Sequence, residues 1–213
     1  MLDKKNNIVG VILAGGLSRR MGNQNKSFMP LANKPLFEHV LERFLPQCDT
    51  VLINSNSQSR QLASYNLPII KDTLEGYLGP LAGILSAMEW TKQQLPETQW
   101  IASVPVDTPF LPKDLVSTLY QSIEKKHSTL VGVSSNGRTH PVIGLWSTRL
   151  VDDLRLALND EGLRKIDLWT ARYSISHQDF SNEVFDPFFN INSQEDLIQA
   201  ESLIKKNPRL IDI

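Results

Sequence analysis

The stretch IVGVILAGGLSRRMGNQNK, residues 8–26, decides the reading of this chain. Its first part, IVGVILA, is a continuous apolar run of the length and β-branched character of a buried strand. The run empties into Gly15 and Gly16, then two arginines, Gly22 and a lone Lys26. A strand that ends in glycines places backbone N–H groups, unhindered by side chains, around an anion at the carboxyl edge of a sheet. The spacing excludes the two best-known phosphate loops. Gly15, Gly16 and Gly22 do not make GxGxxG. Five residues separate Gly16 from Gly22 where a P-loop has four, and no lysine follows Gly22 directly. Residue chemistry alone leaves two readings open. One is a glycine loop whose Arg19, Arg20 and Lys26 meet a triphosphate; the other is a strand-to-helix turn with solvated arginines.

Outward from this stretch, short β-rich runs alternate with helical patterns. KPLFEHVLERF sets Leu36, Val40, Leu41 and Phe44 on one helical face before Pro46. TVLINSN and LPIIKD read as the next strands. GPLAGILSAMEW opens a helix with Pro80 at its first position and Leu81, Ile84, Leu85 and Met88 at helical spacing. WIASVPVD is another apolar strand, and residues 112–126 read as a helix with Leu115, Leu119 and Ile123 inward. Such alternation predicts an α/β fold with helices on both faces of a mainly parallel sheet. After residue 128, Asn136-Gly137 between apolar runs predicts an antiparallel hairpin. Helical stretches are expected over residues 148–159 and 163–172, and a last strand at FFNIN. Ser193 with Asp196 three residues on makes a capping box for the final helix. The tail KKNPRLIDI is expected to be loosely held. With no repeat, linker or low-complexity segment, residues 1–213 read as one domain.

Composition narrows the function. The 213 residues are 41% hydrophobic and 21% charged, ordinary for a globular chain with a sizeable core. A net charge of −1 and a pI near 6.4 carry no footprint for nucleic acid or a membrane surface. The single cysteine, Cys48, rules out an intramolecular disulfide and a cysteine-based zinc cluster, and fits a reducing compartment. It reads as a small residue near a helix end. Lys4 and Lys5 before the apolar run imitate a signal peptide, but cleavage there would cut through the glycine loop. The chain reads as cytoplasmic.

A second candidate is Asp107 in IASVPVDTPFLP, at the carboxyl end of a central strand, where open α/β sheets bind ligands. Pro105 and Pro109 hold it on a stiff turn. A carboxylate facing a triphosphate is the usual way to hold Mg2+. An Asp that merely starts a turn is the alternative.

LAGGLSRRMGNQNK, GPLAGI, PVDTPFLP, HPVIGLW and NINSQEDL occur in an order and spacing that resembles the molybdenum cofactor guanylyltransferases, the MobA family, over about residues 8–203. The first motif belongs to a wider nucleotidyltransferase superfamily; its combination with GPLAGI and the terminal NIN is more specific. The resemblance implies a Rossmann-like three-layer α/β/α fold and roles for individual residues. Leu13, Ala14 and Gly15 would line the guanine and ribose side of a GTP pocket, with Gly16 and Arg20 in the phosphate loop. Lys26 would contact the triphosphate and Asp107 would hold Mg2+. Asn54 and Asp72 match nucleotide-binding positions. Gly79, Gly83, Asn190 and Asn192 match positions near the reacting groups and the pterin site. By residue type alone, Asn54 and Asp72 equally suit turns, Gly83 close helix packing, Asn190 and Asn192 strand ends, and His140 a hairpin.

Two departures stand out. Asn25 occupies a position where the family often has an acid, and Asn192 stands where sugar and cytidyl transferases often carry a second metal-binding Asp. The second favours the molybdopterin branch. The implied reaction joins GMP from GTP to the terminal phosphate of molybdopterin or its molybdenum-loaded form and releases pyrophosphate. Partners would extend to molybdoenzyme apoproteins or their chaperones. The rival readings are a transferase acting with CTP or on a sugar or isoprenoid phosphate, and a non-catalytic cofactor carrier.

Overall fold

The computed structural model describes residues 7–15, 26–57, 59–76, 78–173 and 175–211. In chain order the elements are β1 (Ile8–Leu13), a short ribbon of β2 (Pro30–Leu31) and β3 (Lys34–Pro35), α1 (Leu36–Phe44), β4 (Thr50–Asn54), α2 (Arg60–Ala63) and β5 (Ile69–Ile70). There follow α3 (Pro80–Gln94), β6 (Trp100–Pro105), α4 (Leu115–Lys126), β7 (Leu130–Ser135), β8 (Arg138–Ser147), α5 (Val151–Asn159), α6 (Ile166–Thr170), β9 (Ser176–Asp179) and α7 (Gln194–Lys206).

Seven strands form one sheet in the order β5-β4-β1-β6-β8-β7-β9. β1 pairs in parallel with both β4 and β6, while β8 runs antiparallel to β6 and β7. From β1 the chain passes to β4 and β5 on one side and returns through α3 to β6 on the other. The carboxyl ends of β1 and β6 therefore flank the point where connections leave in opposite directions, the crevice that α/β sheets use for ligands.

The expected strand in IVGVIL is buried at all six positions, and its period-2 alternation feeds two cores. Ile8 and Ile12 face Phe37, Phe44 and Leu119 from α1 and α4. Val9, Val11 and Leu13 face Leu81, Leu85 and Leu154 from α3 and α5. Gly10 shares the first face, and a Cβ there would lie 2.7 Å from Phe44 Cε1 and 2.8 Å from Cys48 Sγ. Its missing side chain lets both close on the sheet, and Cys48 is the small buried residue expected at a helix end. A third cluster packs α7 onto the β2–β3 ribbon: Leu197, Ala200 and Ile204 meet Leu31, Leu36, Phe110 and Ile191. Phe110 and Ile191 lie within three residues of Asp107 and Asn192, so this cluster braces the carboxyl edge from behind.

The hairpin forms at Asn136-Gly137, both with positive φ, as a primed two-residue turn requires. The capping box forms as expected, Ser193 and Asp196 satisfying each other's backbone N–H. Four expectations are corrected. FFNIN is not a strand: Phe188 and Phe189 fold into a turn capped by Asp186, which leaves Ile191 N–H to the Asp107 carbonyl. α4 starts at Leu115 rather than residue 112, because the N-cap Asp114 is not helical. The segment before α6 is extended through Lys165 because Leu163 N–H returns to the Ala157 carbonyl. The tail is held through residue 210, where a 3-10 turn buries Leu210 and gives its carbonyl to Arg43. β9 lies outside the expected elements because SHQD lacks the apolar alternation that marks a half-buried strand. Among the described residues no helix is long and apolar enough to cross a membrane.

Candidate functional site

At the carboxyl end of β6 the chain turns sharply between prolines. Val106 N–H donates to the Leu13 carbonyl at 3.2 Å, and Thr108 Oγ1 donates back to the Pro105 carbonyl at 2.9 Å. These bonds hold Asp107 beside the end of β1. Lys26, opening a 3-10 turn, donates to Asp107 Oδ2 at 2.5 Å and to Asn192 Oδ1 at 2.6 Å. The lysine and aspartate side chains are only 15% and 16% exposed, so the pair is screened less than a surface ion pair. Two of the three ammonium protons are thus used, which leaves one for a ligand.

Asp107 Oδ1 is buried and, among the described residues, lacks a hydrogen-bond partner. A buried carboxylate oxygen left unpaired costs about 1–3 kcal/mol or more, which is the signature of an atom awaiting a cation or donor. The described residues contain no group of three or more His, Cys, Asp and Glu able to hold a metal. A divalent ion here would therefore rest on the Asp107 carboxylate, substrate oxygens and water. Mg2+, which takes one or two carboxylates with phosphate oxygens, fits that donor set.

Asn192 is itself held. Its N–H donates to Asp196 Oδ2 at 2.8 Å, and the Ser193 N–H donates to the same oxygen at 2.9 Å. The Asn192 N–H, followed by bonds from Ser193 and the nearby Lys26 charge, keeps Asp196 below the usual carboxylate range.

On the other side of β1 a second cluster forms where β4 ends. Asn54 Nδ2 donates to Asp72 Oδ1 at 2.9 Å and Asn56 Nδ2 to Asp72 Oδ2 at 2.8 Å, while Asp72 N–H returns to Asn56 Oδ1 at 2.9 Å. Thr73 N–H donates to Ser86 Oγ on α3 at 2.9 Å, which ties this loop to the helix. Gly83 lies against the cluster: a Cβ there would stand 2.4 Å from Asn54 Oδ1 and 2.7 Å from Leu13 Cδ2. Gly79 caps α3 at φ +76°, in the left-handed region that favours glycine, with Pro80 at N1. The positive end of that fifteen-residue helix thus starts beside the carboxyl edge.

The expected residues therefore fall into two groups flanking the end of β1. Lys26, Asp107 and Asn192 form one; Leu13, Asn54, Asp72 and Gly83 form the other. Ala14, whose N–H donates to the Asn54 carbonyl at 2.9 Å, and Gly15 lie between them. Asn190 is exposed one residue before the anchored Ile191. Gly16 and Arg20 lie outside the described residues. Three participants were missed: Asn56, Ser86 and the site role of Asp196. Asn56 had a signal, since it follows Asn54 by two residues beyond a strand end.

A family model described as the MobA-like NTP transferase domain matches residues 10–173. The chain is 42% identical over 199 residues to a molybdenum cofactor guanylyltransferase of Rhodopseudomonas palustris, covering 93% of this chain and 95% of that protein. It is 42% identical over 202 residues to the protein of that name from a Bradyrhizobium species, covering 95% of each. Among solved structures, the molybdopterin-guanine dinucleotide biosynthesis protein A of Archaeoglobus fulgidus superposes with a TM-score of 0.76 at 26% identity, covering 93% of this chain and 99% of that one. The family model spans Leu13, Lys26, Asn54, Asp72, Gly83 and Asp107 and ends before Asn192.

Proposed function

Because this chain belongs to the MobA-like NTP transferase family, nucleotidyltransferases of molybdenum cofactor biosynthesis, we propose that it transfers GMP from GTP to the terminal phosphate of molybdopterin. An oxygen of the acceptor phosphate forms a bond to the α-phosphorus of GTP, and the bond from that phosphorus to the β-phosphate oxygen breaks. Pyrophosphate leaves with the electron pair, and the product is a pterin–guanine dinucleotide. The attacking oxygen is already anionic, so the step needs no general base. Positioning and charge neutralisation carry the catalysis instead.

The observation that supports this reading best is Asp107 Oδ1, unpartnered among the described residues, beside a Lys26 ammonium with two of its three N–H groups engaged, at the crevice between β1 and β6. Asp107 would hold Mg2+, which supplies positive charge to the triphosphate when bound. Lys26 would donate a hydrogen bond from its remaining N–H to a phosphate oxygen. Leu13, Ala14, Gly15, Asn54, Asp72 and Gly79 would form the nucleoside side, with Gly16 and Arg20 in the phosphate loop. Gly83 would keep Asn54 in place, and Asn190 and Asn192 would face the acceptor.

Thermal melting with GTP, CTP, UTP and ATP, each with and without Mg2+, tests the nucleotide assignment. Ligand at ~100 times Kd adds about 2.7 kcal/mol, which is roughly 5–10 °C for a chain of this size. Stabilisation selective for Mg-GTP is expected. Selectivity for CTP would move the chain to the cytidylyl reading, and indifference to every nucleotide would favour a carrier.

A further inference from the structure

Away from the two groups described above, three polar side chains form a chain of hydrogen bonds that the reaction does not use. Ser135 ends β7 and is fully buried, His140 lies near the start of β8, and Asp186 precedes the Phe188–Phe189 turn. Ser135 Oγ is 2.7 Å from His140 Nε2 and 2.7 Å from Asp186 Oδ1. A hydroxyl has one proton and a carboxylate has none to give, so the Ser135 proton goes to Asp186. Ser135 must then accept from His140, which assigns the Nε2–H tautomer. Asp186 Oδ1 also accepts the Phe188 N–H at 2.9 Å. The His140 ring packs on Phe188 with centroids 5.0 Å apart, and Phe188 meets Phe180 edge-on.

This is not a nucleophilic triad. The serine is inaccessible, and its proton points to the carboxylate rather than to the imidazole. Its connectivity points elsewhere: it fastens the β7–β8 hairpin to the irregular segment that leads to Asn190 and Asn192. That segment has few ladder bonds of its own. Its downstream anchors are Ile191 N–H on the Asp107 carbonyl at 3.0 Å and Asn192 on Lys26. The hairpin is itself paired to β6 through β8. The register passes from Gly132 opposite Gly144 to Val133 opposite His140, so residues 141–143 bulge out of the ladder. The bulge is pinned by Ser103 Oγ donating to the Val142 carbonyl at 2.6 Å.

We propose that His140, Ser135 and Asp186 form a positioning relay, which sets residues 186–192 so that Ile191 meets Asp107 and Asn192 meets Lys26. The relay's bearing on the acceptor rests on the reading of the reaction given above; its bearing on the segment does not. His140 is a positioning residue here and touches no reacting atom.

Two readouts test it on the full chain with His140→Ala, His140→Gln and Ser135→Ala. Backbone hydrogen exchange of residues 188–192 reports the segment directly. It should quicken about tenfold in His140→Ala and Ser135→Ala, the equivalent of ~1.4 kcal/mol, and return towards wild type in His140→Gln, whose Nε2 can donate the same bond. Steady-state transfer should show a fall of about tenfold in kcat/KM for molybdopterin, with a smaller loss of Mg-GTP affinity. Unchanged exchange in both truncations overturns the relay, as does an equal fall in nucleotide and acceptor constants. If His140→Ala fails to fold, Ser135→Ala, which removes one oxygen, decides alone. A wild-type chain that transfers no GMP sinks the proposed reaction, and the exchange result then still decides the relay.

Discussion

Substituting Gly83 by alanine isolates the close approach on which the nucleoside cluster is built. In an ordinary helix interior the change would stabilise the protein by ~1 kcal/mol, since alanine loses less backbone entropy. Here the new Cβ would stand 2.4 Å from Asn54 Oδ1, a full ångström short of the 3.4 Å where ordinary contact begins. Leu13 Cδ2, at 2.7 Å, is a side-chain tip that can swing away. Asn54 can yield only by giving up its bond to Asp72, because β4 is paired on both sides and holds its backbone in place. Overpacking costs about 1–3 kcal/mol, and losing a bond to a charged carboxylate about 1.5–3 kcal/mol. Set against the helix gain, the net destabilisation should be about 2–4 kcal/mol, or roughly 5–15 °C in Tm. Urea unfolding of the wild type, Gly83→Ala, Asn54→Ala and the double variant measures it. Most of the cost should vanish in the Asn54→Ala background, a coupling of at least ~1 kcal/mol. Gly83→Ala as stable as wild type, or a cost unaltered by removing the Asn54 side chain, would refute the argument.

The other predictions concern charge and caps. Asp107→Ala and Lys26→Ala should each lower turnover by ~100- to 1,000-fold, and near-normal turnover of Asp107→Ala at saturating Mg2+ would remove its assignment. Ser193→Ala loses the cap to the Asp196 N–H at 3.2 Å and should cost about 1 kcal/mol of stability in urea. His39 is buried with Nε2 2.8 Å from the Leu31 carbonyl, and burial holds its pKa below the ordinary value. Its contribution is therefore full above the unfolded-state value of about 6.5 and is lost as pH falls through the lower folded-state value. Tm should drop on acidification from about pH 7.5 to 5.5, and His39→Gln, which keeps an amide donor, should lessen that drop.

The parts of the fold legible in sequence were those with strong periodicity. IVGVIL, the helix after Pro80 and the Asn136-Gly137 hairpin carry patterns that admit few alternatives, and each formed. FFNIN misled because its alternating apolar residues are buried for a different reason: Phe188 and Ile191 enter separate clusters from an irregular segment whose N–H groups go to Asp186 and Asp107. β9 was invisible because its pairing with β7 buries little apolar side chain. Within the site, family motifs located Lys26, Asp107 and Asn54, but not the bonds that make each useful. That Asp107 keeps one oxygen unpaired among the described residues while the other takes Lys26 depends on segments distant in sequence, and no local pattern encodes it. The same holds for Asn56, which reaches Asp72 across sixteen residues, and for Ser135, which meets Asp186 across fifty-one.

The central claim is the identity of the bond made and the bond broken. Incubating the purified chain with Mg2+, molybdopterin and GTP labelled on its α-phosphate tests it in one reaction. Label should pass into a pterin–guanine dinucleotide, with pyrophosphate released one for one and no product when Mg2+ is withheld. Label left in GDP with release of inorganic phosphate, or equal transfer from CTP, would contradict the account.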